Sequence, residues 1–233
     1  MKPSVIQKLE ALNETFYARH AGAFSNTRTA PWAGWQKVEL ATDACVLDLG
    51  CGNGRYLKFL RSRGFSGVYR GIDSCRALVE RAAEVFPPSE HVQWAVARLD
   101  AVLREPTEYD HVAAWGVLHH VPGEEQRMEV IQQMLKKTKV GGSLWLSLWQ
   151  FRDHPRFQKN ECTPSDFGFL AGDLEEGDTL LDWQGEREVP RYCHHFSSVE
   201  IDRLLRRFAR SSPMLYRTDA SDRFNAYLRL RST

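Results

Sequence analysis

The sequence predicts an α/β protein with a doubly wound, mostly parallel sheet, and three observations predict it. Between Ala44 and Trp149, short apolar runs alternate with amphipathic stretches. The connections between them are short, as in strand–helix crossovers of a parallel sheet. Near the end, two further alternating runs are separated only by a turn-like segment, and strands joined so tightly pair antiparallel.

Each element has its own signal. "ACVLDL" is a short strand that ends at a glycine-rich turn. "GRYLKFLRSRG" places Tyr56, Leu57 and Leu60 on one helical face and stops at Gly64. "GVYRGID" is a second strand, and "SCRALVERAAEVF" is a helix closed by Pro87 and Pro88. "HVQWAVA" and "DHVAAWGVL" are the third and fourth strands. "GEEQRMEVIQQMLKKTKVGG" is a helix with Met128, Ile131 and Leu135 inward, and "SLWLSLW" is the fifth strand. Right-handed crossovers then place the carboxyl ends of these strands on one edge, where ligands bind. "RYCHHFSSVEIDRLLRRFA" is a short segment followed by a helix. Ser197 and Glu200 form its capping box, and Ile201, Leu204, Leu205 and Phe208 its apolar face. "PMLYR" and "RFNAYLRLR" alternate like strands around "TDASD". The expected organisation is a single domain over 1–233: a cap segment 1–43, a ligand-binding core 44–149, an insertion 150–196, and a final helix and strand pair 197–233.

Composition narrows the class. The chain has 233 residues, 42% hydrophobic, with a net charge of +1. No apolar run approaches the roughly 20 residues of a membrane span. The first residues, "MKPSVIQKLEALNETF", carry no apolar signal core or cleavage site. The five cysteines form no C-x-x-C pair, so reduced thiols, no metal site and a cytoplasmic location are expected. Charge is uneven: acids dominate from Asn160 to Pro190, and arginines from Ile201 to Thr233. A basic stretch can hold phosphates, or it is a solvated face.

The stretch "DLGCGNGRYL" carries the chemistry. Gly50, Gly52 and Gly54 alternate at a strand–helix junction, so backbone N–H groups and a helix amino terminus face a ligand. The spacing is G-x-G-x-G, and Arg55 stands where a dinucleotide fingerprint has its third glycine. Asp48, just before the turn, suits a positively charged sulfonium amino acid. Asp73 lies roughly 20 residues past the turn at the end of the second strand, where a carboxylate accepts both hydroxyls of a ribose.

With "GIDSC", "VLHHV" and "GGSLWLSLW", this region resembles the class I S-adenosylmethionine-dependent methyltransferases. The resemblance implies a Rossmann-like seven-stranded sheet with an antiparallel last strand, and S-adenosyl-L-methionine as cofactor. It implies that Asp48, Gly50, Gly52, Asn53 and Gly54 hold the methionine part and Asp73 the ribose. Asp100, or the backbone N–H of Leu99, would meet the adenine. Gly116 to His120 would line the methyl-transfer site.

The flanks resemble a narrower family, the tRNA wobble-uridine methyltransferases that esterify a carboxymethyl group. "FSNTR" with "PW" behind it, "GNGRYL", "HH", "DTLLDW" and "RYCHHF" carry that resemblance. Departures are Asp182 before Trp183, and Val121-Pro122 after the paired histidines. The resemblance implies tRNA as partner and acceptor, with a small activating protein subunit that could supply basic surface. An acceptor carboxylate is already ionised near neutral pH and needs no general base. His119, Arg28, Arg191 and His194 are the expected acceptor-site residues. Trp32 and Trp149 could stack a base or simply pack. A small metabolite as acceptor, and a non-catalytic partner protein, stand as alternative readings.

Overall fold

The computed structural model describes residues 1–218 and 224–233, apart from the side chain of Arg156. In chain order the elements are α1 (Pro3–Asn26), β1 (Val46–Leu49), α2 (Arg55–Ser62), β2 (Tyr69–Asp73), α3 (Arg76–Val85) and β3 (Val92–Val96). Then come α4 (Leu99–Leu103), β4 (Tyr109–Ala114), α5 (Glu124–Lys136), β5 (Thr138–Trp149), α6 (Pro155–Gln158) and β6 (Glu161–Cys162). β7 (Asp178–Trp183), β8 (Glu186–His194), α7 (Ser198–Arg207), β9 (Met214–Tyr216) and β10 (Asn225–Arg231) complete the chain.

The main sheet has seven strands in the order β3-β2-β1-β4-β5-β10-β9. β3 through β5 in that row are parallel, and β10 enters antiparallel to both β5 and β9. This is the expected Rossmann-like α/β sheet with an antiparallel last strand. The turn expected over "TDASD" falls largely on residues 219–223, outside the described residues.

Strand alternation divides the core between the two faces of the sheet. Leu47, Leu49, Val112, Ala114, Leu144, Leu146 and Leu148 face α5 and α7, where Ile131, Met134, Ile201, Leu204 and Phe208 complete one cluster. Val46, Ala113, Trp115, Trp145 and Tyr227 face α2 and Trp35 on the other side.

α1, the small sheet of the insertion, and the short helices α4 and α6 have no counterpart in the sequence reading. α1 is a 24-residue helix with Pro3 at its first turn. Its buried stripe is Val5, Leu9, Asn13, Phe16 and His20, one helical face interrupted by two polar residues. The insertion 150–196 contains a three-stranded antiparallel sheet, β6-β7-β8. Leu180 and Tyr192 of that sheet pack towards α1, while Leu181 and Cys193 pack on Trp149 and Phe157.

A buried ionic cluster ties this small sheet to the core. Ser197 caps α7 by accepting from the Glu200 N–H, but the Glu200 carboxylate does not reach back as a capping box would. It accepts from Arg127 at 3.1 Å and lies 2.7 Å from His194 Nε2. His194 Nδ1 lies 2.7 Å from Asp178, which also accepts from the Tyr192 hydroxyl at 2.8 Å. Arg127, 2% exposed, also pairs with Glu175 at 3.4 Å. Asp178 and Glu175 of the insertion are therefore engaged inside the fold, while Glu161, Asp166, Glu176, Glu186 and Glu188 stay exposed, as do Arg206, Arg207 and Arg210. Burial opposes charge on His194, yet the hydrogen bonds to Asp178 and Glu200 outweigh it and raise the imidazole above its ordinary value.

Arg127→Ala, which strands two carboxylates, should destabilise the fold by about 3–5 kcal/mol in urea unfolding. The contribution of His194 has a definite pH sign. Its folded value is raised, so its stabilisation is complete below about pH 6.5, the unfolded value, and disappears as pH rises through the folded one. The stability difference between the native chain and His194→Gln should therefore shrink from pH 6 to pH 9; a constant difference would mean that the imidazole is not charged.

Candidate active site

A cavity of about 710 Å³ opens at the carboxyl edge of the parallel strands. It sits where chain order reverses between β1 and β4, the switch point at which open α/β sheets bind ligands. α1 and α5 contribute its outer walls through residues such as Asn13, Tyr17, Gln126 and Gln133.

β1 delivers Asp48 to the floor, 1% exposed. Its Oδ2 accepts from the Tyr69 hydroxyl, and its Oδ1 is buried without a partner among the described residues. Burial lifts its carboxyl to about 7. A half-satisfied buried carboxylate is costly, and a cationic donor arriving in the cavity would relieve it.

Asp73 ends β2. Its Oδ2 accepts from the Gly52 N–H at 2.9 Å and its Oδ1 from the Cys75 N–H at 2.8 Å. Burial raises its carboxyl, and these backbone donors act against that rise. Each oxygen keeps a further lone pair for a ligand. Gly50 has φ +70, and a Cβ there would come 2.4 Å from Val117. Gly52 has φ +53, and a Cβ there meets nothing within 4 Å, so the backbone borders open cavity. Gly54 does not line the cavity; it starts α2 and lies against Trp94 and Ala82. Asn53 lines it, but its amide is occupied, donating to Ser25 Oγ at 3.1 Å and to the Arg28 carbonyl at 3.3 Å. Asn53 therefore fastens the end of α1 to the turn. Leu99 and Asp100 border the same cavity beyond β3. Asp100 is exposed and paired with Arg104 at 3.2 Å.

At the other end, Gly116 follows β4, with its N–H donating to Ser147 Oγ at 2.7 Å. A 3-10 turn, Leu118–His120, follows. His119 lies flat on Trp149, ring centroids 3.8 Å apart, with Nδ1 buried and unpartnered among the described residues. His120 Nδ1 lies 2.7 Å from the Tyr192 carbonyl, which can only accept. The Nδ1 proton is therefore donated there, and Nε2 accepts from the Tyr17 hydroxyl at 2.8 Å. Burial, with Arg191 nearby, lowers the His120 imidazole to about 3 and holds His119 well below its ordinary value. Both histidines are neutral at pH 7.

Cationic charge comes instead from Arg28 and Arg191, which the fold brings together from opposite ends of the chain. Both line the cavity, and their guanidinium groups stand 5.4 and 5.5 Å from the Trp183 ring centre. Arg28 also covers Phe24, and Arg191 reaches Phe16 and Trp149. Arg191 is 3% exposed, and its Nε has no partner among the described residues. His194, expected beside them, is absent from the cavity wall and belongs to the ionic cluster under β8. Trp32 and Trp149 line the cavity while packing on Trp35 and His119 respectively. His119, His120 and Cys193 bring ligand-type atoms within 4.8 Å of one another. The charge of Arg191 beside them and the occupied nitrogens of His120 oppose a metal ion there.

Tyr17 is the participant that the sequence reading missed. Burial pushes its phenol up to about 12, so it stays a neutral donor. Its place on the inner face of α1, next to Phe16, was the available signal.

Among the described residues, no helix is long and apolar enough to cross a membrane. Residues 24–208 match the family model of a methyltransferase domain. The chain is 31% identical over 155 residues to a tRNA (carboxymethyluridine(34)-5-O)-methyltransferase of Arabidopsis thaliana, covering 64% of this chain and 35% of that protein. It is 29% identical over 136 residues to the enzyme of that name from Schizosaccharomyces pombe, covering 57% and 55%. A Xenopus tropicalis protein of that name is 30% identical over 146 residues, 60% of this chain and 21% of its own. The chain thus spans from about a fifth to about half of these relatives. A SAM-dependent methyltransferase structure from Methanosarcina mazei superposes with a TM-score of 0.63 at 18% identity, covering 87% of this chain and 98% of that one. One from Listeria monocytogenes gives 0.60 at 16%, covering 87% and 97%. With its sheet order, its glycine turn and a family match over most of its length, the chain belongs to the methyltransferase domain family.

Proposed function

We propose that this methyltransferase uses S-adenosyl-L-methionine to convert a carboxymethyl group on a tRNA wobble uridine into its methyl ester. The observation that carries the reading is the convergence of Arg28 and Arg191 on Trp183 at one end of the cavity. The remaining wall supports the cofactor: Asp48 has an unsatisfied oxygen for an ammonium or sulfonium group, Gly52 leaves room for close approach, and Asp73, held to the turn by the Gly52 N–H, keeps lone pairs for ribose hydroxyls. When bound, the cofactor supplies a methyl group on a positively charged sulfur. The two arginines hold the acceptor carboxylate, while neutral His119 and His120 shape the wall without competing for it. No base is required, so catalysis consists of positioning and exclusion of water. The relatives named as tRNA methyltransferases support the acceptor class.

A small carboxylate metabolite is the second reading, favoured by the net charge of +1. On the tRNA reading, a small activating subunit would supply the missing basic surface.

Calorimetry should show binding of S-adenosylmethionine and its demethylated product, and none of NAD; a clear NAD preference would sink the cofactor assignment. Asp73→Ala removes a charged acceptor and should weaken cofactor binding about tenfold or more. Arg28→Ala and Arg191→Lys should cut methyl transfer at least about tenfold with cofactor affinity within about twofold. Transfer rates within twofold of native for both would refute the acceptor role. Label transferred to total tRNA should be released by mild alkali, as an ester is. Alkali-stable label would reject the carboxylate acceptor, and transfer only to a metabolite extract would reject tRNA.

A further inference from the structure

A recess of about 230 Å³ adjoins the main cavity and shares Arg28 and Arg191 with it. Arg28 and Arg191 therefore border both spaces. Trp183 and Phe157 supply aromatic walls, and Asn160 and Gln184 each add a carboxamide. Among the described residues, neither carboxamide makes a hydrogen bond. Asn160 is held in place through its backbone, whose carbonyl accepts from the Asp182 N–H at 2.8 Å. Gln184 has φ +57 and opens the two-residue turn between β7 and β8, where glycine or asparagine is the usual occupant. A glutamine here carries a longer carboxamide arm at the recess rim, despite the less favourable backbone.

We propose that this recess is the nucleobase subsite, and that it takes a uracil-type ring with its C5 substituent passing between the arginines into the main cavity. The inference rests on the proposed function and adds how the base is chosen. Aromatic walls stack any flat base, so selectivity must come from the polar groups. Arginine is a donor only. The group on C4, next to the C5 substituent, faces Arg28 and Arg191 and must accept. Uracil places a carbonyl oxygen there, whereas cytosine places an amino donor. A carboxamide offers one acceptor and one donor group, which matches the N3–H and O2 of the far edge.

The test uses the full chain saturated with the demethylated cofactor product. Calorimetry with 5-carboxymethyluridine and its N3-methyl derivative reads the edge directly. N3-methylation should weaken binding about tenfold, and Asn160→Ala with Gln184→Gly should abolish that discrimination while leaving cofactor-product affinity within twofold. Gln184→Gly relieves the left-handed backbone, so misfolding is not its expected outcome. In methyl transfer to tRNA carrying a carboxymethyluridine at the wobble position, the double variant should raise KM at least fivefold. If the native chain modifies this tRNA, yet N3-methylation and the double variant both change binding less than twofold, the subsite is overturned and the proposed function stands. If the native chain transfers no methyl group to it, the proposed function fails, and the subsite with it.

Discussion

One carboxylate fixes the geometry on which the cavity depends. Asp73 accepts from the backbone of the glycine turn and from the start of α3 at once, so the ends of β1 and β2 cannot drift apart. The turn in turn presents Asn53, whose amide holds Ser25 and the Arg28 carbonyl. α1 is thereby placed, and its Asn13 accepts from the Tyr192 N–H at 2.8 Å, next to Arg191. Hydrogen bonds joined through α1 thus run from β2 to the Arg28 backbone and to Tyr192, the chain neighbour of Arg191. Burial raises the carboxyl of Asp73, so this arrangement is held against a desolvation cost that the two N–H donors offset.

The sheet was legible because its signals are local. Apolar strands, short crossovers and positive-φ glycines are dictated by backbone sterics and period-two burial, which one chain segment reveals unaided. α1 was hidden because its inward stripe contains Asn13 and His20; both face polar partners that exist only after folding, so the apolar period looked broken. β7 and β8 were hidden because Asp178, which appears surface-like in the sequence, is buried against His194, its partner across the hairpin. Glu200 matched a capping box by spacing, yet Arg127 and His194 outcompete the helix backbone for its carboxylate. His194 was misplaced for a related reason. It alternates with Tyr192 and Phe196 as a strand residue, and the face it takes is set by tertiary pairing.

The site divides its electrostatic work between residue types. Imidazoles packed among aromatic rings lose their charge to desolvation, as His111 does beside Tyr56, falling to about 3. Guanidinium groups survive the same surroundings because their charge is delocalised and intrinsically hard to remove. Stacking on Phe16, Trp149 and Trp183 then compensates Arg191 in part without neutralising it.

That partial compensation gives the proposed reaction a direction. A carboxylate entering between the arginines satisfies a cation that is 3% exposed, and a sulfonium entering opposite finds Asp48. Joining methyl to carboxylate erases both charges in one event. The ester and the thioether left behind would be neutral, so Arg191 would face the ester as an uncompensated buried ion, a state that proteins tolerate poorly, and Asp48, whose carboxyl burial lifts to about 7, would lose its sulfonium partner. The chemistry itself thus withdraws the attraction that held the reactants, and turnover favours departure of both products over their return.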